Sequence, residues 1–569
     1  MTKNILSLKV RLNVPKLAFS SRLKILTFEA GKTYLDHAGS QLPAKSLIDA
    51  FAADLNNSLY GNPHSASTPS HVAGERIDEI REQTLQFFNA SPEDFDLVFV
   101  ANTTAAVKLV AECVRDHVAS LPTKFSLSKK PEFSFSYHRE CHNSLVGMRE
   151  LANTHQCVDD EDVEQWISPS ACFKKRTVNN GVHLFAYPGQ SNFNGRRLPL
   201  EWANKIRASG LQDTYILLDA AALATTTPLN INAIQPDFVA LSFYKIFGFP
   251  DLGALIVRKA SATRILESKR YFGGGTVDVV GAAHGTGTRP GQSRGWHVKR
   301  QALHAQLEEG TLPFHNIMAL GHALRTHTAL YGANPMAAIS ARTAALAATA
   351  YERMRTARHR NGAPVFAVYK DTRATYGDAA TQGATFAFNV LRADGSAVGF
   401  RDVERAADAR AIYVRSGAHC NYGSLSAHLG WTPRDLRELF LRQGNRCGEE
   451  VQLHMGRPTG VVRVSLGACS TAKDLDALFD FVREDYVDSA VPVAQPELSL
   501  RQIVVEMDST GRAKVDSSKA ASTPSGRSKR IFMTPKSRGR WRWRENSVDL
   551  ANVKQVFNTV IAAGMELGR

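Results

Sequence analysis

Short apolar runs alternate with longer helical patterns between Tyr34 and about Arg258. Helical periodicity marks segments such as Ser70–Asn89 and Ala105–His117, which lie between the apolar runs. We predict the runs themselves to be buried strands, at Leu97–Val100, Phe133–Ser136, His183–Tyr187, Tyr215–Leu218, Phe238–Ser242 and Ala254–Val257. Strands that alternate with helices predict an α/β domain around a largely parallel sheet with right-handed crossovers.

The pattern changes after this domain. Residues 260–310 are rich in Gly, Arg and His and are predicted to be loops, and residues 314–358 are Ala-rich and strongly helical. From about Val365 a smaller α+β pattern begins, with strands at Thr385–Val390, Ile412–Val414 and Val461–Ser465 and a closing helix near Lys473–Asp485. We predict four segments: an N-terminal extension at 1–30, a large domain at 31–360, a small domain at 361–488 and a basic, largely disordered tail at 489–569.

Composition narrows the class of protein. Apolar residues make up 43% of the 569 and charged residues 22%, as in ordinary globular proteins. The sequence has no run of eighteen apolar residues, so no membrane-spanning helix is expected. The seven cysteines are scattered and none forms a CxxC, which argues against a disulfide framework or a metal site. A reducing compartment fits best, and we expect the cytoplasm.

The net charge of +15 is concentrated near the C-terminus, where eleven Lys or Arg face one acid between Arg512 and Arg544. The KSRGRWRWR stretch there resembles sequences that bind single-stranded nucleic acid, but a solvated basic tail is the simpler interpretation. Nucleic-acid binding is therefore not expected as the main function. The first 28 residues carry six Lys or Arg and no acid, which leaves a mitochondrial location as the alternative to the cytoplasm.

Two neighbouring strands deliver an acid and an amine to one edge of the predicted sheet. The run YILLD ends in Asp219, and the run PDFVALSF is followed by Tyr244 and Lys245. Open α/β sheets bind ligands in the crevice at the carboxyl ends of their strands. Chemistry that needs both groups is that of pyridoxal phosphate (PLP), with Lys245 as its Schiff-base lysine and Asp219 as the partner of its pyridine nitrogen. The alternative is a surface lysine and a helix-capping aspartate.

Three further motifs suit the same cofactor. Thr103 and Thr104 follow an apolar strand and open a helix, where hydroxyls and free N–H groups bind phosphate, although they would also serve as ordinary caps. His142 opens another helix and is predicted to stack on the pyridine ring, with His138 as a rival. Asn192, in the turn-like SNFNG, is predicted to bond the ring hydroxyl.

The motif VRSGAHCNYG presents Cys420 on a glycine-containing loop. A nucleophilic thiolate needs exposure and a positive surround, which Arg415 and His419 would provide. The alternative is a small buried cysteine. Further on, Arg463 lies on a predicted strand and is a candidate for a bidentate bond to an amino-acid carboxylate, with a surface salt bridge as the alternative.

Together the motifs resemble the class V aminotransferase superfamily, and within it the molybdenum cofactor sulfurases and cysteine desulfurases. The resemblance runs from about Tyr34 to Tyr486 and is carried by YLDHAGSQLP, YGNPHSAS, NTTAAVKLVAE, SNFNGRRLPL, LLDAAALATTTPLNI and YFGGGTV. It implies the type I fold of PLP enzymes, with a large, mostly parallel seven-stranded sheet domain and a smaller α+β domain. It also implies a homodimer with its sites at the subunit interface.

The resemblance further implies residue roles. Ser242 matches a phosphate-binding serine, and Thr276, in the GGGTV loop, matches a residue that reaches the neighbouring subunit's phosphate. Cys420 matches the sulfur-accepting cysteine, and Arg463 and Arg415 are the candidate substrate-binding arginines. The sequence departs from cysteine desulfurases at Tyr244, where they usually have His, and at Ala222, where they often have Gln.

The sequence therefore predicts a PLP-dependent, cysteine desulfurase-like sulfurtransferase. L-cysteine would give its sulfur to Cys420 as a persulfide and leave as alanine. The segment after Asp488 is short and polar compared with the further C-terminal domain of eukaryotic molybdenum cofactor sulfurases. The sulfur acceptor thus stays open, with the molybdenum cofactor as one candidate. The rival function is another class V reaction, such as C–S lysis or β-substitution in a biosynthetic pathway.

Overall fold

The computed structural model describes residues 31–122, 130–168, 181–211, 213–281, 295–446, 448–449 and 451–489, and four short strands further on. The chain divides into two units, Met1–Ser489 and Ala490–Arg569. The predicted N-terminal extension, residues 1–30, lies outside the described part. The domain boundaries expected from the sequence stay predictions.

A seven-stranded sheet forms the centre of the first unit. Its strands in spatial order are Phe95–Val100, Gly253–Arg258, Phe238–Ser242, Thr214–Asp219, Gly181–Pro188, Glu132–His138 and Thr154–Val158. Gly253–Arg258 runs antiparallel to both of its neighbours, and every other pair is parallel. The mostly parallel α/β architecture predicted from the sequence is therefore confirmed.

Both faces of this sheet are buried, which explains why its strands are continuous apolar runs rather than alternating ones. Along Phe95–Val100, Leu97 and Phe99 pack into the core on one face, while Val98 packs into the core on the other. Helices cover the two faces and connect the strands: Lys45–Asn57, Thr68–Phe87, Thr103–Ser120, Asn143–Val146, Asp160–Ile167, Trp202–Ala208, Ile231–Ile234, Tyr244–Phe247, Lys259–Leu266, Leu303–Leu307, Phe314–Tyr331 and Pro335–Thr356.

A second, antiparallel sheet has the strand order Phe366–Val368, Thr385–Val390, Val461–Ser465 and Arg415–Gly417. It has its own apolar core, and four helices accompany it: Phe400–Ala409, Tyr422–Leu429, Pro433–Gln443 and Ala472–Tyr486. The short strand Thr33–Tyr34 pairs in parallel with Ile412–Tyr413, so the start of the described chain joins this smaller part.

Two sequence expectations need correction. The edge strand Thr154–Val158 was missed because four of its five side chains are at least partly exposed, which leaves no apolar run to detect. Residues 260–310 are not only loops, since they contain the end of the helix Lys259–Leu266, the helix Leu303–Leu307 and an antiparallel hairpin of Val277–Gly281 with Trp296–Lys299. Glycine and arginine content concealed these short elements.

The described residues of the second unit form antiparallel hairpins, Val505–Met507 with Ala513–Val515 and Met533–Lys536 with Arg540–Trp543. Within the described residues, no helix combines the length and the apolar character that crossing a membrane requires. The same residues contain no group of three or more His, Cys, Asp or Glu side chains arranged to hold a metal ion.

Candidate active site

A cavity of about 200 Å³ opens at the carboxyl ends of the central parallel strands. Strand ends and the helix starts that follow them supply its walls, as in other open α/β sheets. The residues that line it are Asn102, Thr103, Thr104, His142, Ser144, Pro188, Gln190, Asn192, Asp219, Ala221, Ala222, Ser242, Tyr244 and Lys245. Seven of the predicted site residues are thus brought together from five separate stretches of sequence.

Asp219 and Lys245 are the charged pair of this cavity. Asp219 ends its strand and is buried, and its Oδ1 accepts a hydrogen bond from the backbone N–H of Ala221 at 2.9 Å. Burial raises the pKa of Asp219, and the nearby Lys245 opposes that shift. Burial also lowers the pKa of Lys245, which makes its free amine more accessible at neutral pH. A buried carboxylate in this position favours a cationic partner such as a protonated pyridine nitrogen.

The helix Thr103–Ser120 points its N-terminus into the cavity. The Thr103 backbone N–H donates to Ser242 Oγ at 2.9 Å, and the hydroxyls of these two residues lie 2.7 Å apart. Asn102 caps the helix, because its side-chain oxygen accepts from the Ala105 N–H and its carbonyl accepts from the Ala106 N–H. The start of this helix packs closely on Gly253 of the neighbouring strand, where a Cβ would lie 2.6 Å from Asn102 Cα. The hydroxyls of Thr103, Thr104 and Ser242, together with the helix dipole, make this an anion-binding corner.

His142 lines the cavity, whereas its rival His138 does not. The ring of His138 is buried and its Nε2 lies 3.1 Å from Asp160. His142 Nδ1 accepts from the backbone N–H of Ser144 at 3.1 Å, which leaves Nε2 as the protonated nitrogen of the neutral ring. Burial, with help from Lys245, lowers the pKa of His142 to about 4. The ring is therefore neutral at pH 7 and suited to stack on an aromatic cofactor.

Arg463 lies beside the cavity but already has an acidic partner. Its guanidinium is buried, Nη2 lies 2.6 Å from Asp36 Oδ1, and Nη1 donates to the backbone oxygen of Asn192 at 3.0 Å. Its Nε has no hydrogen-bond partner among the described residues. The more exposed Arg415 lies 3.8 Å from the other carboxylate oxygen of Asp36. The two predicted substrate-binding arginines thus share one aspartate, and an incoming carboxylate would compete with it.

Cys420 is partly exposed and does not line the cavity. Its loop nevertheless contacts a cavity-wall segment, because the Asn143 backbone N–H donates to the Cys420 carbonyl at 2.8 Å. His419 does not supply the positive charge that the sequence suggested. Its ring is buried, and burial lowers its pKa well below the ordinary value. The positive charges that act on the His419 ring are those of Arg463 and Arg415, and they lower its pKa further.

Thr276 is the one predicted cofactor-binding residue that does not line the cavity of its own chain. It is buried, and its hydroxyl donates to the Gly273 carbonyl at 2.8 Å. The expectation that it reaches a neighbouring subunit concerns a second chain and stays a prediction.

Pyridoxal phosphate fits the residues that line the cavity. The helix start with Thr103 and Ser242 suits its phosphate, Asp219 suits its pyridine nitrogen and the amine of Lys245 suits its aldehyde. His142 and Asn192 remain for the ring face and the ring hydroxyl. Ala222 also lines the cavity and adds no hydrogen-bonding group there.

Sequence reasoning missed Ser144, Gln190 and Asp36, three polar residues of this region. Gln190 lines the cavity and accepts from Arg197 Nε at 3.0 Å. Asp36 belongs to the quoted motif YLDHAGSQLP, but its partner Arg463 is 427 residues away in the chain. The motif singled out the stretch that contains Asp36, but only the tertiary structure shows that Asp36 pairs with Arg463.

Comparison with known proteins agrees with this geometry. The chain is 49% identical over 463 residues to the molybdenum cofactor sulfurase of Aspergillus niger, a match that covers 80% of this chain and 53% of that protein. It is 43% identical to the molybdenum cofactor sulfurase of Chaetomium globosum, covering 82% of this chain and 57% of that protein. The chain thus spans about half the length of these curated relatives.

The fold matches solved structures of low sequence identity. The cysteine desulfurase CsdA of Escherichia coli superimposes with a TM-score of 0.56 at 21% identity, covering 83% of this chain and 98% of that one. The cysteine desulfurase of Thermococcus onnurineus has the same TM-score at 17% identity, covering 80% and 94%. Residues 33–478 match the family model described as aminotransferase class-V, and the chain belongs to that family.

Proposed function

We propose that this protein is a PLP-dependent, cysteine desulfurase-like sulfurtransferase that takes sulfur from L-cysteine. The observation that carries the proposal is the meeting of three groups in one region: the Lys245 amine, the buried Asp219 carboxylate and the Cys420 loop docked on the segment after His142. The names of the relatives and of the structural neighbours support the same class of reaction.

PLP bound here would supply an electron sink that weakens bonds at the substrate carbons. Asp219 would hold the proton of the pyridine nitrogen, and Thr103 and Ser242 would hold the phosphate. The Lys245 amine, with its lowered pKa, would move protons as general base and acid. Arg463 would hold the substrate carboxylate once Asp36 shares or releases it.

The Cys420 thiolate would attack the sulfur of L-cysteine. The new S–S bond forms as the substrate C–S bond breaks, and the carbon that loses sulfur gains a proton. Cys420 keeps the transferred sulfur as a persulfide, and the amino acid leaves as alanine, so atoms and electrons balance without an external oxidant. The molybdenum cofactor is the proposed final acceptor, on the strength of the relatives' names.

We also propose that the protein is a homodimer. The hairpin that follows Thr276 exposes apolar side chains on both of its faces, and an isolated two-stranded hairpin is marginally stable at best. About half of the surface of each of these apolar residues is exposed to solvent: Val279, Val280, Trp296 and Val298. A second copy that covers this hairpin would lie next to the segment that carries Thr276. Light scattering after size exclusion tests this, and a monomeric mass contradicts it.

The decisive experiment identifies the products formed from L-cysteine. The wild-type protein loaded with PLP should release alanine and carry one extra sulfur on Cys420, detected by peptide mass spectrometry. Cys420→Ser should lose both products, because a hydroxyl stays protonated at neutral pH and is a poor nucleophile towards sulfur. Cys157→Ser is the matched control, since Cys157 is another cysteine that is open to solvent, and it should behave as wild type.

One observation favours a second function, C–S lysis: Cys420 does not line the cavity. A lyase needs no protein nucleophile and would give pyruvate and ammonia. Release of these products by Cys420→Ser at the wild-type rate would replace the desulfurase proposal with this one.

A further inference from the structure

The loop from Gly417 to Gly423, here named the Cys420 loop, is bonded to the wall of the cofactor cavity at several points. Asn143, which lies between the lining residues His142 and Ser144, donates its backbone N–H to the Cys420 carbonyl at 2.8 Å. Gly423 packs so closely on the wall segment that a Cβ there would lie 1.9 Å from the Arg139 carbonyl oxygen. The loop therefore packs on the segment that supplies His142 and Ser144 to the cavity.

Asn421 is the side chain that makes most of these bonds. It is fully buried, and its Nδ2 donates to the Glu140 carbonyl and to Asn192 Oδ1, both at 3.0 Å. Its Oδ1 accepts the Ser424 backbone N–H at 3.0 Å and so caps the helix Tyr422–Leu429. The two donors of this amide thus hold the loop to Glu140 and Asn192, while its acceptor caps the helix that follows the loop.

Asn192 connects this amide to the cavity. Its Nδ2 donates to the His419 carbonyl at 2.7 Å, and its Oδ1 accepts from Asn421. A primary amide carries two N–H donors, and these bonds use only one of them. Because Asn192 lines the cavity, its second N–H is available to an oxygen of the cofactor without loss of either bond to the loop.

The loop backbone depends on such restraints. His419 and Cys420 have φ angles of +54° and +53°, two successive non-glycine residues in the left-handed region. Side chains with a Cβ disfavour that conformation, which persists only where surrounding contacts impose it. Loss of the Asn421 bonds should let this segment relax.

We propose that Asn421 is a positioning residue that, through Asn192, couples occupancy of the cofactor cavity to the conformation of the Cys420 loop. A cofactor oxygen that engages the second N–H of Asn192 fixes its amide and thereby stiffens the loop. The inference rests on the proposed function, in which Cys420 is the sulfur acceptor. Coupling between two sites is reciprocal, so a stiffer loop also favours cofactor binding.

The test measures the alkylation rate of Cys420 by iodoacetamide in the full chain, with PLP bound and with PLP removed. Peptide mass spectrometry follows Cys420 and uses the exposed Cys157 as an internal reference. In the wild type, PLP should slow Cys420 alkylation by about five-fold or more, the lower end of usual coupling factors. In Asn421→Asp the ratio should fall close to one, because a carboxylate keeps the cap but cannot donate to Glu140 or Asn192.

Two further variants separate this coupling from a general softening of the fold. Asn421→Ser keeps a neutral helix cap and should also lose the PLP dependence, which covers the case that a buried aspartate prevents folding. Asn389→Asp is the matched control, because Asn389 is equally buried and donates to the Gly460 carbonyl in the small sheet. It should keep the wild-type ratio.

The proposal would be overturned if PLP left the rate of Cys420 alkylation unchanged in the wild type. It would also be overturned if PLP slowed Cys420 alkylation as much in both Asn421 variants as in the wild type. Direct shielding of Cys420 by PLP would then explain the protection. If Asn389→Asp also lost the PLP dependence of Cys420 alkylation, a general softening of the fold would explain the loss, and the proposal would be overturned. The assay uses no L-cysteine, so a protein that makes no persulfide but shows the expected ratios contradicts the proposed function and supports the coupling.

Discussion

Replacing Asp36 by asparagine removes the acidic partner of Arg463 while keeping the size of the side chain. The side chain of Arg463 is 3% exposed and that of Asp36 is 21% exposed, with 2.6 Å between Nη2 and Oδ1. Removing one partner of a buried ion pair costs about 3–5 kcal/mol, because the other charge is left uncompensated. Asp36 is partly exposed and Arg463 keeps its bond to the Asn192 carbonyl, so we expect the lower value, about 3 kcal/mol.

The assay is urea unfolding of Asp36→Asn and the wild type at the same pH. Asp49→Asn is the control, because Asp49 pairs with Lys45 at the same 2.6 Å but both side chains are more than half exposed. Such surface pairs contribute about 0.2–1 kcal/mol. A loss of stability in Asp36→Asn no larger than in Asp49→Asn would refute the reasoning.

A second arm of this experiment addresses the substrate site. L-alanine carries the carboxylate of L-cysteine without its thiol, and in Asp36→Asn it meets an Arg463 that has lost its competitor. A ligand that binds only the folded state raises its stability according to its affinity. L-alanine should therefore stabilise PLP-loaded Asp36→Asn more than the PLP-loaded wild type. Equal stabilisation would mean that Arg463 does not bind the carboxylate.

Three further predictions concern Lys245, Asp219 and His327. Lys245→Ala should abolish the visible absorbance of lysine-bound PLP, and a reducible PLP adduct on another lysine would contradict this. Asp219→Asn should bind PLP but lose nearly all turnover, since an amide cannot hold the pyridinium proton; near-normal rates would refute the role. Burial lowers the pKa of His327 to about 4 in the folded state, against 6.5 in the unfolded chain. As the pH falls from 6.5 towards 4, the unfolded state binds the proton first, so the folded protein loses stability over this range. His327→Phe should reduce the loss of unfolding free energy between pH 8 and pH 5 by about 2 kcal/mol, and an unchanged pH dependence would contradict this.

The reason for the His327 substitution lies in its surroundings. Its Nε2 has no hydrogen-bond partner among the described residues, and its ring lies 5.0 Å from that of Phe247 and 4.9 Å from that of Tyr331. An aromatic hydrocarbon suits this position, because it packs similarly and carries no proton to bind.

Local sequence determined the large sheet and the charged pair of its cavity. Buried parallel strands must be continuous apolar runs, so Phe238–Ser242 could be predicted with its observed bounds. A polar residue at or just beyond the end of such a run is carried to the edge of the sheet, which is why Asp219 and Lys245 were predicted. The half-exposed strand Thr154–Val158 lacked that signal and was missed.

Only the tertiary structure decided how distant polar groups pair. Asp36 and Arg463 are separated by 427 residues, and Asn192 and Asn421 by 229, so no local pattern relates them. Burial likewise reverses a property read from residue type, since His419 was expected to be a positive neighbour of Cys420 and is instead neutral. The sequence by itself determined which side chains reach the strand ends, because periodicity and strand direction are local. The fold decided their partners and charge states, because these depend on desolvation and on contacts between remote segments.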